Sequence, residues 1–169
     1  MKIVIEGCDG VGKTSMAKIL AEKYGCDIVH MTSQDPGDYE FYKQSLRKEN
    51  VIYDRNVLGE MVYPHVFNRQ KKLAEVELRE ILHHFKKDVY FFVLTADPET
   101  IRLRLSRRGN EVSEILESID YINAKFKTLV YEYKLSEIDT TQMKIEDVAN
   151  KIIEIIESKE NKQNGEDNN

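Results

Sequence analysis

Eight consecutive residues, Gly7-Cys8-Asp9-Gly10-Val11-Gly12-Lys13-Thr14, have the spacing G-x-x-x-x-G-K-[ST]. That spacing lets glycine backbone wrap a phosphate without obstruction, while loop N–H groups, a helix N-terminus and Lys13 supply positive charge. The Thr14 hydroxyl is placed to reach a magnesium ion. Gly7, Cys8, Asp9, Gly10, Val11, Gly12, Lys13, Thr14 and Ser15 are therefore the candidate ATP contacts, with Mg²⁺ expected alongside. Two further groups have types suited to the same chemistry. Asp54-Arg55 follows an apolar run, where an aspartate can hold the metal and an arginine can clamp phosphate oxygens bidentately. Arg104 and Arg108 stand four apart, so on a helix they share one face and can swing onto a transferring phosphoryl group. Arg108, beside Gly109, is the better placed, and Arg102 and Arg107 read as a solvated face.

These residues need elements to hold them, and the sequence supplies an alternation of strands and helices. Lys2-Ile3-Val4-Ile5-Glu6 reads as a strand entering the glycine loop, and a helix is expected from Lys13 to Tyr24, closed by Gly25. A second strand is expected over Asp27 to Met31, and a short helix near Asp38 to Lys48. A third strand, Asn50 to Tyr53, ends at Asp54-Arg55. Helical patterns cover Leu58 to Phe67 and Leu73 to Phe85. The unbroken Val89-Tyr90-Phe91-Phe92-Val93-Leu94 predicts a strand buried on both faces. Pro98 opens another helix at a tolerated position, a single helical pattern runs from Val112 to Lys134, and a weak strand follows near Leu135 to Asp139. An amphipathic helix is expected from Ile145 to Ser158. The reading is one domain, residues 1–158, with a disordered polar tail over 159–169. The architecture expected is α/β, a three-layer P-loop NTPase fold whose mainly parallel sheet of about five strands is flanked by helices. In such sheets ligands bind at the carboxyl ends of the strands, where these motifs fall.

Composition narrows the function classes. The chain has 169 residues, 41% hydrophobic and 33% charged, too polar for a membrane span. Cys8 and Cys26 make no framework, which fits a reduced, cytoplasmic setting. A net charge of −5 argues against bulk electrostatic grip on nucleic acid, leaving small nucleotides as the expected partners. No Asn-Lys-x-Asp occurs, as a switch GTPase would commonly carry, and the chain is short for a motor ATPase. What remains is a compact kinase. His30, His65, His83 and His84 form no metal-ligand pattern and read as structural.

Ile5-Glu6-Gly7-Cys8-Asp9-Gly10-Val11-Gly12-Lys13-Thr14 resembles the E-G-x-D-G-x-G-K loop of thymidylate kinases. The resemblance extends through Asp54-Arg55, Asp97-Pro98 to Arg108-Gly109, and Ile138-Asp139-Thr140, and is closest to compact nucleotide kinases of phages and prophages. It implies phosphoryl transfer from ATP to a thymidylate-like monophosphate. It also implies that Asp9 accepts the sugar 3′-hydroxyl, that Arg55 binds the acceptor phosphate, that Asp54 with Thr14 positions Mg²⁺, and that Glu60 and Tyr63 line the acceptor pocket. Lys13, Asp54, Arg55 and Arg108 are the catalytic set. The family's pairing through helices makes a homodimer an option, although the apolar helix faces here serve equally as core. Between Gly25 and Tyr53 the chain is shorter than in full-length thymidylate kinases, so the base-reading segment is missing its usual form. Asn56 also replaces the aromatic residue that follows the family's D-R.

Two other functions fit parts of this pattern. A deoxynucleoside kinase would need a general base near the end of the second strand, where no carboxylate occurs before Asp35. A non-catalytic ATP-binding regulator would not need Lys13, Thr14, Asp54, Arg55 and Arg108 together.

Overall fold

The computed structural model describes residues 1–109 and 113–166. Five strands form one parallel sheet: β1 (Lys2–Gly7), β2 (Asp27–His30), β3 (Val51–Asp54), β4 (Tyr90–Thr95) and β5 (Ser136–Asp139), in the order β2-β3-β1-β4-β5. The central three are buried almost throughout, as their continuous apolar runs predict, whereas β2 and β5 at the edges are largely exposed or half-buried. Eight described helices connect and cover the sheet: α1 (Lys13–Tyr24), α2 (Tyr39–Ser45), α3 (Gly59–Val66), α4 (Glu75–Asp88), α5 (Pro98–Ser106), α6 (Ser113–Glu117), α7 (Ile119–Tyr133) and α8 (Ile145–Glu166). Helices α1 and α8 pack together, with α1 on β1, β2 and β3, while α4 and α7 pack on β4.

Local chemistry sets the boundaries. Gly12 and Gly25 bracket α1, both left-handed at φ 98° and 63°. Asp38 caps α2 by accepting from the Phe41 N–H at 2.9 Å, and Asp97 caps α5 from the Thr100 N–H at 3.0 Å with Pro98 next to it.

Two expectations need correcting. The helical pattern from 112 to 134 is two helices, because the chain turns at Ser118, whose N–H bonds the Ile115 carbonyl at 3.1 Å. Its first residue, 112, lies outside the described residues. The last helix continues past Ser158 to Glu166, so the polar segment expected to be disordered begins as helix. Residues such as Lys, Glu and Gln propagate a helix well without apolar partners. Residues 167–169 lie outside the described set.

Register brings the motifs to one edge. Asp54 ends β3 opposite Ile5 of β1 and His30 of β2, and the Arg55 N–H bonds the Ile5 carbonyl at 3.0 Å. Gly7 pairs with Leu94, and Thr95 with Asp139. The carboxyl ends of all five strands thus face the glycine loop.

Candidate active site

In the loop from Gly7 to Gly12, the three glycines Gly7, Gly10 and Gly12 lie at positive φ, conformations that glycine adopts without cost. Gly7 lies at φ 136°, and a Cβ on it would stand 2.1 Å from the Leu94 carbonyl oxygen. Lys13, at the start of α1, is buried, and its Nζ donates back to the Cys8 carbonyl at 2.7 Å. Burial lowers its pKa, opposed by the nearby Asp9 carboxylate. Thr14 and Ser15 are exposed on the first turn of α1, and Thr14 Oγ1 donates to Asp54 Oδ2 at 2.6 Å. Cys8 is fully enclosed, and burial chiefly pushes its thiol up to about 12, so the thiol stays protonated at neutral pH.

Asp54 is almost wholly buried. Besides Thr14, its Oδ2 meets His30 Nδ1 at 3.0 Å, while Oδ1 is enclosed without a partner. A carboxylate oxygen left in this way, beside a threonine hydroxyl, fits the hard, oxygen-seeking Mg²⁺ that the fold family implies. His30, expected to be structural, therefore touches the candidate metal-binding carboxylate. No group of three or more histidine, cysteine, aspartate or glutamate side chains that could hold a metal ion occurs among the described residues, so a metal here would rest on Asp54, the Thr14 hydroxyl and phosphate oxygens.

Arg55 sits at φ 72°, a left-handed backbone that an arginine adopts at a cost of roughly 1 kcal/mol. That turn lays its guanidinium on Asp9 Oδ1. Tyr63 on α3 donates to the other oxygen of Asp9 at 2.9 Å, and Lys13 Nζ lies 3.9 Å from Oδ1. Burial pushes the Asp9 carboxyl up, yet Lys13 and Arg55 together outweigh it and hold the group below its ordinary value. Burial likewise opposes the charge on Arg55, and Asp9 more than restores it. Asp9, Arg55 and Lys13 thus form one charged cluster over the loop, with the Tyr63 phenol, kept protonated chiefly by burial, as its neutral donor.

Beneath it lies a residue that the sequence reading left without a role. Glu6 is buried, and its Oε1 accepts the N–H groups of Asn56 at 2.9 Å and Leu58 at 2.8 Å. It pins the segment that carries Arg55 to the end of β1. Burial raises its carboxyl to about 7, against the pull of those two bonds and of Lys13 and Arg55.

Two openings lie beside this site, one against the glycine loop and one against Arg55. A cavity of about 330 Å³ lies against Gly10 and Gly12, walled by Arg104, Arg108, Met143 and Ile145. Arg104 is anchored within it, donating to Thr140 Oγ1 at 2.9 Å and to the Thr140 carbonyl at 2.7 Å, while Arg107, read from the sequence as a solvated face, lines the cavity beside Arg108, and neither of these two has a side-chain hydrogen bond among the described residues. A cleft of about 50 Å³ is lined by Thr32, Tyr42, Arg55, Asn56, Glu60 and Arg69. It is far narrower than the ~300 Å³ at which ligand pockets usually begin.

Glu60, expected to line the acceptor pocket, is there, but its carboxylate is engaged bidentately by Arg69 at 2.8 and 2.9 Å. Lys72 donates to the carbonyls of Ser33 and Asp35, tying the 68–73 segment over the cleft. Arg69 escaped the sequence reading because a lone arginine in a loop carries no pattern. Phe41 lines a separate cavity of about 510 Å³, whereas Tyr42 is buried and faces the cleft. Asp35 accepts the Thr32 N–H on Oδ2 at 2.6 Å and lines the cavity of about 510 Å³ together with Phe41.

Residues 3–123 match the AAA_18 family model, described as an AAA domain. A protein of Thermococcus gammatolerans named "Putative adenylate kinase" is 33% identical over 164 residues, covering 93% of this chain and 86% of that protein. A "Probable thymidylate kinase" of Methanocaldococcus jannaschii is 26% identical, covering 90% and 94%. The crystal structure of YorR from Bacillus subtilis in complex with phosphorylated GDP superposes with a TM-score of 0.83 at 27% identity, covering 95% of this chain and 98% of YorR.

Proposed function

Because this chain belongs to the AAA_18 family of P-loop nucleotide kinases, we propose that it transfers the γ-phosphoryl group of ATP to a nucleoside monophosphate, giving the diphosphate. The observation that carries this reading is the meeting of Lys13, Thr14, Asp54 and the Asp9–Arg55–Tyr63 cluster at one sheet edge, between a cavity for a donor and a cleft for an acceptor.

In this reading the donor base and sugar occupy the 330 Å³ cavity against Met143 and Ile145, and the phosphates run over the loop. Lys13 exchanges the Cys8 carbonyl for phosphate oxygens, and Arg108 adds charge from the cavity wall. Thr14 and Asp54 would hold Mg²⁺, which when bound neutralises charge on the β- and γ-phosphate oxygens. Arg55 turns part of its guanidinium to the acceptor phosphate while Asp9 and Tyr63 keep it aimed, and Asp9 is placed to accept a sugar hydroxyl. The acceptor phosphate has its second ionisation near pH 6 by analogy with phosphorylated side chains, so it needs no general base.

The relatives' names give adenylate in one case and thymidylate in another, and a thymidylate-like acceptor is the finer reading that the E-G-x-D-G-x-G-K and D-R motifs support. ATP consumption with Mg²⁺ against ribo- and deoxynucleoside monophosphates, with the nucleosides alongside, tests both levels. Turnover only on nucleosides would replace the reading with a nucleoside kinase. Lys13→Ala should lower kcat by about 100-fold or more with an unchanged circular dichroism spectrum. An unfolded variant would instead assign Lys13 a structural role.

A further inference from the structure

We propose that His30 is a positioning residue for the magnesium site: its Nδ1–H fixes the Asp54 carboxylate so that the other oxygen, Oδ1, stays on offer to the metal. The inference rests on the reading of Asp54 and Thr14 as that site, and not on which molecule accepts the phosphoryl group.

The contact follows from strand register. His30 closes β2 and Asp54 closes β3, and the two are partners in the sheet, so their side chains leave it on the same side. The Met31 N–H bonds the Asp54 carbonyl at 3.1 Å, which continues the pairing past His30 and holds the two strand ends level. His30 Nδ1 then stands 3.0 Å from Asp54 Oδ2. A carboxylate that holds a metal carries no hydrogen, so the hydrogen of this bond sits on Nδ1 whatever the charge of the ring.

The two oxygens of Asp54 are treated unequally. Oδ2 receives both donors, Thr14 Oγ1 at 2.6 Å and His30, whereas Oδ1 is buried with none. Two donors on one oxygen oppose rotation of the carboxylate, and the oxygen left without a partner is costly until a donor or cation meets it. Of the two donors, only His30 is independent of the metal, because Thr14 is itself a candidate ligand. His30 lines the cavity of about 510 Å³ and neither of the openings beside the glycine loop and Arg55, so it supports the carboxylate without touching substrate. Packing does not account for the residue either. Its side chain is 49% exposed, and the bond to Asp54 is the one hydrogen bond of its ring among the described residues.

The experiment measures the Kd of a non-hydrolysable ATP analogue by calorimetry, once with saturating Mg²⁺ and once with EDTA, in the wild type, His30→Asn and His30→Leu. The ratio of the two constants reads the contribution of the metal, and the EDTA value checks that the loop and the fold are intact. Asparagine brings an N–H to the place of Nδ1, and leucine has nearly the same shape without a donor. His30→Leu should lower the ratio by about tenfold while its EDTA constant stays within about twofold of wild type, and His30→Asn should keep the ratio within about threefold. The free Mg²⁺ needed for half-maximal turnover should rise in the leucine variant by a similar factor. Where leucine disturbs the EDTA constant, His30→Ala takes its place in the same comparison. A wild-type ratio in the leucine or alanine variant, or an asparagine variant that falls as far, overturns the role of the Nδ1–H. A wild type that binds the analogue no more tightly with Mg²⁺ than with EDTA overturns the magnesium site, and this inference with it. Metal-dependent binding as expected, without turnover on any monophosphate, overturns the kinase reading alone.

Discussion

At the scale of single residues, the site is organised by how each buried charge finds an opposite or a bond. Asp9 is ionised because Lys13 and Arg55 face it, and Arg55 tolerates a left-handed backbone because Asp9 and the Ile5 carbonyl hold it there. Glu6 is the exception. It has two N–H donors but no cation in contact, so burial prevails and its carboxyl rises from an ordinary 4.5 to about 7. The folded chain then binds a proton there more tightly than the unfolded chain does. Its contribution to stability is fully present below about pH 4.5 and is lost as pH rises through 7. Glu6→Gln keeps an oxygen for the Asn56 and Leu58 N–H groups and removes the titration. The melting temperature of the variant should rise relative to wild type between pH 5 and pH 8, by the equivalent of at most about 3 kcal/mol. Parallel melting curves across that range would show that Glu6 does not titrate there.

At the scale of elements, the junction of β1, the glycine loop and α1 governs the site, and its tolerance can be stated. Gly7 pairs with Leu94 in the sheet, so a methyl group 2.1 Å from that carbonyl forces the two central strands apart. Gly7→Ala should cost about 2–4 kcal/mol in urea unfolding. Gly25→Ala at the far end of α1 meets nothing within 4 Å and should cost only the ~1 kcal/mol of a left-handed alanine. Equal costs at the two positions would remove the strand clash from the account. The same junction shows what the sequence made legible. Helix α1 was readable to both ends because glycines bracket it, and β4 because burial on both faces leaves an unbroken apolar run. The break at Ser118 was marked only by a serine of N-cap type with Asp120 in the first turn behind it, a weak signal inside a continuous helical pattern. The site divides along similar lines. Thr14 with Asp54, and Asp9 with Arg55, stand in motifs whose spacing exposes them. Glu6, His30 and Arg69 matter through contacts spanning 9 to 52 positions, which no local pattern records.

For the whole molecule, the telling feature is that the two openings differ in readiness. The cavity against Gly10 and Gly12 already has the volume of a ligand site, whereas the cleft at Arg55 is closed over by the 68–73 segment, held by Glu60–Arg69 and by Lys72 on Ser33 and Asp35. A donor can therefore bind with little rearrangement, while an acceptor must part these bonds to enter. Linking the two ligands changes the balance, because the second half arrives at the high effective concentration set by the first. Two nucleosides joined through five phosphates should raise the melting temperature more than ATP and a monophosphate added together at the same concentration. The gain should vanish in Arg55→Ala, which removes the guanidinium reaching from the acceptor cleft to Asp9. If the linked ligand stabilises no better than ATP alone, the cleft is not continuous with the phosphate loop, and the acceptor must enter by another face of the sheet edge.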